Sequence, residues 1–282
     1  MRIIRSVEQM RKTARRLQQA GKRVGLVPTM GALHEGHLSL VRRARADNAV
    51  VIVTVFVNPL QFGPREDFAR YPRQLRRDVR LARRAGADIV FAPSVDALYP
   101  AGFQTAVDVE ALAKRWEGER RPGHFRGVAT VLALLFEITQ PTSAYFGQKD
   151  YQQALIIGRM VRDLRMPMRV HRLPTVREPD GVAMSSRNRY LNATQRAQAP
   201  VLYRALREAR ALIRGGERRA SMLRRFMRQR IRRAGAARID YIAVVDAETL
   251  EPQERLRGRI ALLLAVRIGR TRLIDNLLVD VS

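Results

Sequence analysis

Short apolar stretches alternate with helical patterns through the first 175 residues of the chain. Val24–Val27 is an apolar stretch, and Ala49–Val57 is a β-branched run typical of a strand that is buried on both faces. Strands separated by helices indicate βαβ units, so we expect an α/β fold with a parallel sheet and helices on both faces. The other predicted strands are Ile89–Ala92, Ser143–Phe146 and Met168–Leu173, and the predicted helices are 6–20, Gly36–Ala46, Pro72–Ala85, Val128–Thr139 and Tyr151–Leu164.

The pattern changes after about residue 176. Asn192–Ile213 and Ala220–Ala234 are predicted to be two arginine-rich helices separated by Gly215-Gly216. We therefore expect two domains, an N-terminal one over residues 1–175 and a smaller α+β C-terminal one over residues 176–282. The strands predicted for an antiparallel set in the second domain are Ile239–Val245, Arg259–Val266 and Thr271–Leu278.

The composition limits the class of protein. With 282 residues, of which 46% are hydrophobic, the chain can bury a substantial core. It has no cysteine, which excludes a disulfide framework and fits a reducing cytoplasm. The segment Met1–Arg5 does not lead into the apolar core of a signal peptide, and the longest apolar stretches are too short to span a bilayer. We expect a soluble, cytoplasmic protein with no membrane partner.

The formal net charge of +27 makes a nucleic-acid-binding protein an alternative. The arginines, however, are scattered over nearly every predicted helix, and no nucleic-acid-binding motif accompanies them. We interpret the charge as a bias of the solvated surface that gives weak, non-specific affinity for polyanions. A true nucleic-acid-binding protein would instead bind a defined duplex or RNA with a steep dependence on salt.

The most informative motif is His34-Glu35-Gly36-His37, which opens a predicted helix after the strand Val24–Val27. Two histidines on a first helical turn share one face, and the helix N-terminus beneath them favours a phosphate. A strand, a tight loop and a His-bearing helix start are typical of a nucleotidyl-transfer site. The alternatives are incidental surface histidines or a metal pair, which usually has i, i+4 spacing and needs further ligands. Only His124 and His171 remain as further histidines.

Polar clusters follow four of the predicted strands. They are Pro28–His37, Asn58–Gly63, Gly147–Asp150 and Thr175–Arg189. In open parallel sheets, ligands bind outside the carboxyl ends of the strands, so we expect these clusters to form a ligand site.

Several side chains in these clusters suit a nucleotide and a small hydroxylated substrate. Lys149 can contact a phosphate as a point charge, and the hydroxyls and cation of Ser185-Ser186-Arg187 can bind a triphosphate. Gln61 and Gln153 can both donate and accept hydrogen bonds, which suits a substrate with hydroxyl groups. Taken alone, Lys149 fits both interpretations equally, whereas the Ser-Ser-Arg loop and each glutamine are better explained as ordinary surface residues.

Taken together, the motifs resemble those of the pantoate–β-alanine ligase family over essentially the whole chain. The resemblance implies ATP-dependent condensation of pantoate with β-alanine to pantothenate, AMP and pyrophosphate, a Rossmann-like first domain and a homodimer. The matching motifs are Val27–Gly31, His34-x-Gly36-His37, Phe56–Phe62, Tyr71–Arg73, Arg121–Gly127, Phe146–Gln153, Ser185–Asn188 and Leu273–Asn276.

The resemblance also implies roles for individual residues. His37 is the expected proton donor, and Gln61 and Gln153 are expected to bind pantoate, with Gln61 also contacting β-alanine. Asp78 is the candidate protein ligand for Mg²⁺. Gln148 and Met184 stand where the family often has Glu and Leu. The change at Gln148 removes a charge beside Lys149, but the backbone contacts to the nucleotide there should survive it. The expected ATP-binding residues are Met30, Gly31, Ala32, Leu33, His34, Glu35, Gly36, His37, Gly147, Gln148, Lys149, Asp150, Val176, Met184, Ser185, Ser186 and Arg187.

The implied chemistry agrees with these residue types. A carboxylate that attacks the α-phosphorus of ATP is already ionised at neutral pH, so catalysis requires positioning and charge stabilisation rather than a general base. The expected catalytic residues are His34, His37, Lys149 and Arg187, with Mg²⁺ on the leaving phosphates. Gln61–Arg70 is the predicted lid over the reactive adenylate. A different nucleotidyl-transfer enzyme and an inactive homologue remain as alternatives.

Overall fold

A computed structural model of the chain describes residues 1–64, 66–235 and 237–281, which form two compact units. Unit 1 consists of Met1–Gly147 with Gln152–Pro174. Unit 2 consists of Gln148–Tyr151 with the chain from Thr175 onward. Arg65 of the predicted lid segment, and Ala236 and Ser282 of the second predicted domain, lie outside the described residues.

Unit 1 is built on a six-stranded, fully parallel sheet with the strand order β1-β4-β3-β2-β5-β6. The order of strands reverses at β2, whose two neighbours β3 and β5 lead the chain in opposite directions across the sheet. Such a reversal is where open α/β sheets bind their ligands. The strands are β1 (Arg2–Ile4), β2 (Val24–Val27), β3 (Val50–Thr54), β4 (Ile89–Phe91), β5 (Ser143–Gly147) and β6 (Arg169–Leu173).

Helices cover both faces of this sheet because successive strand residues point to opposite sides. Ile52 packs in a core with α1, α7 and α8, whereas its neighbours Val51 and Val53 pack in a second core with α2 and α3. All three side chains are fully buried, which explains the continuous β-branched run in the sequence. The helices are α1 (Val7–Gln19), α2 (Glu35–Asp47), α3 (Leu75–Arg84), α4 (Val95–Leu98), α5 (Glu110–Ala113), α6 (Glu117–Arg120), α7 (His124–Thr139) and α8 (Tyr151–Asp163).

Unit 2 contains an antiparallel sheet with the order β7-β8-β9, and helices that share one apolar core with it. The predicted fold class, a parallel α/β sheet followed by a smaller α+β part, is therefore confirmed. The elements are α9 (Ala193–Gln198), α10 (Val201–Arg214), α11 (Ala220–Arg232), β7 (Ala237–Asp246), β8 (Gly258–Ile268) and β9 (Thr271–Val281).

The structure differs from the sequence interpretation at one strand and at one helix. The strand Arg2–Ile4 has no counterpart in the sequence interpretation, and it pairs with β4 at the edge of the sheet. The single helix predicted over Asn192–Ile213 is wrong, because the chain forms α9 and then α10, with Pro200 at the N-cap of the second helix. Proline has no N–H to continue the hydrogen bonding of a preceding helix, and it fits at a helix start. Within the described ranges, no helix is both long enough and apolar enough to cross a membrane.

Candidate active site

The loop after β2 is tightly folded against β3. The Thr29 hydroxyl donates to the Thr54 carbonyl oxygen at 2.6 Å and accepts from the Gly31 N–H at 3.1 Å. Gly31 has a φ of +85°, and a Cβ there would lie 2.9 Å from Oδ2 of Asp78. A glycine is therefore required at this position, both for its positive φ and because a side chain would collide with the Asp78 carboxylate.

Asp78 on α3 fixes the second half of the same loop. Its Oδ2 accepts from the Ala32 N–H at 3.0 Å, its Oδ1 accepts from the Leu33 N–H at 2.8 Å, and the residue is only 1% exposed. Both carboxylate oxygens are thus used to shape the loop, which argues against the expected role of Asp78 as a Mg²⁺ ligand. Within residues 1–64, 66–235 and 237–281, no group of three or more His, Cys, Asp or Glu residues is arranged to hold a metal ion.

The two histidines of the motif lie at the start of α2. His34 is the N-cap residue, and its backbone N–H donates to Nδ1 of His37 at 3.4 Å. The two rings are 4.0 Å apart between centroids. Because Nδ1 of His37 accepts this hydrogen bond, the neutral ring carries its proton on Nε2. The motif therefore presents an N–H donor beside a helix N-terminus, as expected for a phosphate site.

Gln61 lies in a short 3-10 turn after β3, and its side chain is held in place on both sides. Its Oε1 accepts from Nδ2 of Asn58 at 3.0 Å, and its Nε2 donates to Sδ of Met30 at 3.1 Å. Asn58 is 1% exposed, and it also donates to the Gly127 carbonyl oxygen and accepts from the Tyr99 hydroxyl. The structure thus brings together Gln61 and Met30, which the sequence assigns to pantoate and ATP.

Arg121 and His124 hold the main chain around Gln61. Nδ1 of His124 donates to the Gln61 carbonyl oxygen at 2.9 Å, and its Nε2 accepts from Nη1 of Arg121 at 3.0 Å. Arg121 also forms a two-pronged ion pair with Glu66, with distances of 2.7 and 2.6 Å. Burial, and next the charge of Arg121, lower the pKa of His124 to about 4, so its ring is neutral near pH 7. The motif Arg121–Gly127 therefore anchors the start of the predicted lid segment.

Gln153 and Gln152 are adjacent in the first turn of α8, and they differ in burial. Gln152 is buried, and its Nε2 donates to the carbonyl oxygens of Leu112 and Arg115 at 2.7 and 2.8 Å. Gln153 is half-buried one position further on. Gln153, which is predicted to bind pantoate, is thus the more exposed of the two glutamines.

In unit 2, the turn Gln148–Asp150 carries Lys149 and is bound to β9. The Asn276 amide donates through Nδ2 to the carbonyl oxygens of both Gln148 and Lys149, each at 2.9 Å. Nζ of Lys149 lies 3.6 Å from Oδ1 of Asp150, and the Lys149 side chain is 20% exposed. The ammonium group is therefore partly shielded from water, which strengthens its interaction with an anion.

The second predicted nucleotide segment of unit 2 begins with a short hairpin. Arg177 and Ala183 form an antiparallel bridge, and the Met184 N–H donates to the Val176 carbonyl oxygen at 3.0 Å. Ser185 then caps a 3-10 turn by accepting from the Arg187 N–H at 3.2 Å. The hairpin brings together Val176 and Met184–Arg187, which are separate in the predicted set of ATP residues.

The sequence interpretation missed several residues of these sites. Tyr99, Arg177 and Asn276 received no functional role, although Asn276 stands in a motif of the resemblance. No local pattern indicates their partners, because Asn276 contacts residues more than a hundred positions away along the chain. The burial of the polar Asn276 side chain is the signal that becomes visible in the structure.

Comparisons with known proteins agree with this architecture. A family model described as pantoate–β-alanine ligase matches residues 2–278. The pantothenate synthetase of Moorella thermoacetica is 55% identical over 282 residues, and the alignment covers 100% of both chains. The crystal structure of pantothenate synthetase from Thermus thermophilus superimposes with a TM-score of 0.94 at 50% identity, covering 98% of this chain and 99% of that chain.

A further solved structure contains ligands. The pantoate–β-alanine ligase of Francisella tularensis, complexed with β-γ ATP and β-alanine, superimposes with a TM-score of 0.81 at 35% identity, and the match covers 99% of this chain and 97% of that chain. The family match and the parallel sheet together define this chain as an α/β ligase. It belongs to the pantoate–β-alanine ligase family, whose members join pantoate to β-alanine at the expense of ATP.

Proposed function

We propose that this ligase acts in two steps, through a pantoyl adenylate. In the first step, a pantoate carboxylate oxygen attacks the α-phosphorus of ATP, and the bond to the β-phosphate oxygen breaks to release pyrophosphate. In the second step, the neutral amine of β-alanine attacks the acyl carbon, AMP leaves with the bonding electron pair, and the amine loses a proton. The products are pantothenate, AMP and pyrophosphate.

The residues of unit 1 are assigned to pantoate and to one part of the nucleotide. Gln61 and Gln153 bind the hydroxyl and carboxylate groups of pantoate, and Gln61 also contacts β-alanine. His34 and His37, at the N-terminus of α2, stabilise the charge that develops on the phosphoryl oxygens, with Nε2–H of His37 as the proton donor. The contact of Gln61 with Met30 is the observation that carries this proposal, because it brings the predicted acid and nucleotide residues together.

The residues of unit 2 are assigned to the phosphates of ATP. Lys149 provides a partly shielded positive charge, and Arg187 provides a planar guanidinium that can bind two oxygens at once. The backbone at Val176 and the segment Met184–Ser186 complete the nucleotide set. Because the attacking carboxylate is already charged, such positioned cations supply what the first step needs.

The proposal also includes a cofactor, an oligomeric state and a cellular location. We propose Mg²⁺ as the counterion of the ATP phosphates, and we assign no protein ligand to it, because both oxygens of the buried Asp78 bind loop amides. No step is attributed to the ion. We further propose a homodimer that works in the cytoplasm, in line with the absence of cysteine.

Isotope exchange between ATP and pyrophosphate tests the two-step order. We expect exchange that requires pantoate but not β-alanine, because the first step is reversible on the enzyme. Exchange that appears only after β-alanine is added would contradict the adenylate route.

The same assay tests Lys149. The substitution Lys149→Ala should lower exchange by about 10²-fold or more, the scale of removing one preorganised charge from a transition state. Lys114→Ala is a matched control, since that lysine is 74% exposed and paired with Glu110 on a short helix. Unchanged exchange in Lys149→Ala would remove this residue from the site.

A further inference from the structure

Two adjacent side chains of β9, Asp275 and Asn276, are buried without contributing to an apolar core. They are 4% and 2% exposed. Neighbouring residues of a strand point to opposite faces, so the two side chains can bind different parts of the chain. Buried polar groups are costly unless their hydrogen bonds are satisfied, and here each is satisfied by a segment assigned to the nucleotide.

Asn276 binds the turn that carries Lys149. Both hydrogens of its amide are used, one on the Gln148 carbonyl oxygen and one on the Lys149 carbonyl oxygen. Its Oδ1 in turn accepts from Nε2 of Gln148 at 3.4 Å. Only a side chain with two donors on one nitrogen can hold two successive carbonyl groups in this way, and a primary amide does so without adding a charge.

Asp275 binds the hairpin that leads to Ser185 and Arg187. Its two oxygens accept from Nη1 and Nη2 of Arg177 at 2.7 and 2.9 Å. The same guanidinium donates to the Gly181 carbonyl oxygen at 3.1 Å and stacks 3.7 Å above the ring of Tyr203. The base and the tip of the hairpin are thus both connected to β9 through one arginine.

We propose that Asp275 and Asn276 are positioning residues, which place two nucleotide-binding segments of unit 2 relative to each other. Asn276 acts through Lys149, and Asp275 acts through Arg177 on the segment Met184–Arg187. This inference depends on the proposed roles of Lys149 and Arg187 in binding the phosphates.

The physical reason lies in the length of a lysine side chain. An ammonium on four methylene groups can reach many positions, so its contribution to a transition state depends on how firmly its main chain is held. Without the Asn276 amide, two carbonyl groups of the Lys149 turn lose their partners, and the turn is free to shift by the ångström or so that costs catalysis. Binding of ATP and overall folding are affected less than the rate of the first step.

A double-mutant cycle with Lys149 separates positioning from a general loss of stability. Asn276→Ala should lower kcat of pantoate-dependent exchange about tenfold, with a smaller change in KM for ATP. In a Lys149→Ala background the same substitution should change the rate by less than about twofold, because the group it positions is gone. Asn276→Ser, which keeps one donor, should recover part of the loss and provides a second variant if Asn276→Ala folds poorly.

Leu273→Ala is the matched control on the same strand, because Leu273 is buried in the core of unit 2 and its aliphatic side chain cannot form hydrogen bonds with the Lys149 turn. It should lower the thermal unfolding midpoint at least as much as Asn276→Ala does, and its effect on exchange should be the same with and without Lys149. Asp275 acts through Arg177, so its double-mutant cycle combines Arg177→Lys, which disturbs the pair with Asp275, with Arg187→Ala.

Three outcomes decide the matter. A loss in Asn276→Ala that disappears in the Lys149→Ala background supports the proposal. Equal losses in both backgrounds, like those of Leu273→Ala, would overturn it and make Asn276 a residue of stability alone. Full exchange in Lys149→Ala would instead contradict the proposed function of Lys149, so the two failures are distinguishable.

Discussion

The segment around Gln61 in unit 1 and the turn around Lys149 in unit 2 are held by different chemistry. The Gln61 carbonyl oxygen is bound by an imidazole, His124, which is itself bound by the charged Arg121. The carbonyl oxygens of Gln148 and Lys149 are bound by the neutral amide of Asn276. In both cases a remote side chain fixes the main chain of a residue with a predicted role.

The two supports differ in their response to pH and to salt. An amide does not titrate near neutral pH, so the Lys149 turn keeps its support over a wide range of pH. The Gln61 segment depends on a neutral histidine and on an ion pair with Glu66 whose side chains are 16% and 25% exposed. The support of the predicted pantoate residue is therefore sensitive to acid and to salt, whereas the support of Lys149 is not.

The largest effect on this comparison is expected from a single added methyl group at Gly127. A Cβ at Gly127 would lie 2.2 Å from the Leu60 carbonyl oxygen and 2.7 Å from the Gln61 backbone nitrogen. Since these are main-chain atoms, Gly127→Ala must displace the turn, and we expect a loss of about 2 to 3 kcal/mol in the free energy of unfolding and a higher KM for pantoate. Denaturant unfolding and steady-state kinetics measure the two effects.

Gly158→Ala is the matched control for that substitution. Gly158 also lies in a long helix, α8, but a Cβ there would meet no atom within 4 Å. We expect it to stabilise the protein by about 0.5 to 1 kcal/mol, because alanine favours helix. Equal effects at the two glycines would mean that the close approach at Gly127 has no importance.

The next largest effect concerns pH. The pKa of His124 is lowered from 6.5 to about 4, so the unfolded chain binds a proton more readily than the folded protein does. The free energy of unfolding should therefore fall as the pH decreases from about 6.5 to 4, with about 2 kcal/mol lost from this group at pH 5 relative to pH 7.

His124→Gln tests that expectation, because glutamine can also donate to the Gln61 carbonyl oxygen and accept from Arg121 without titrating. Its free energy of unfolding should change between pH 7 and pH 5 by about 2 kcal/mol less than that of the original protein. The same pH dependence in both proteins would show that His124 is not the group responsible.

The smallest effect separates two of the arginines that form two-pronged ion pairs, Arg121 and Arg177. Arg121 pairs with the partly exposed Glu66, whereas Arg177 pairs with Asp275, whose side chain is 2% exposed. Burial raises the pKa of Asp275, and the hydrogen bonds and then the charge of Arg177 oppose that rise, so this carboxylate depends strongly on its partner. Lysine keeps the charge but loses the paired geometry.

We expect Arg177→Lys to cost about 1 kcal/mol more in the free energy of unfolding than Arg121→Lys does. Added salt should weaken the Arg121 pair more than the Arg177 pair, because exposed charges are screened more effectively. Unfolding curves at low and high salt measure both differences. A larger loss in the free energy of unfolding for Arg121→Lys would contradict the expectation that the more buried ion pair contributes more to stability.

The sequence predicted those parts of the molecule whose signal is local. The β-branched run over Val51–Val53 indicated a strand buried on both faces, and the motif at His34 indicated a helix start with two histidines on one face. The strand Arg2–Ile4 escaped prediction because three residues carry no periodicity, and its strand character depends on pairing with β4. Pro200 marked the helix boundary that was missed, but the apolar pattern continues across it.

The amino-acid sequence by itself determined the α/β class and the residues that define the family, because periodicity and motifs are properties of neighbouring residues. Only the tertiary structure decided what holds those residues. Asp78 shapes the loop before His34, Arg121 and His124 anchor Gln61, and Asn276 anchors the Lys149 turn. These are hydrogen bonds between residues far apart in the chain, and their partners are chosen by packing and by the cost of leaving a buried polar group unsatisfied.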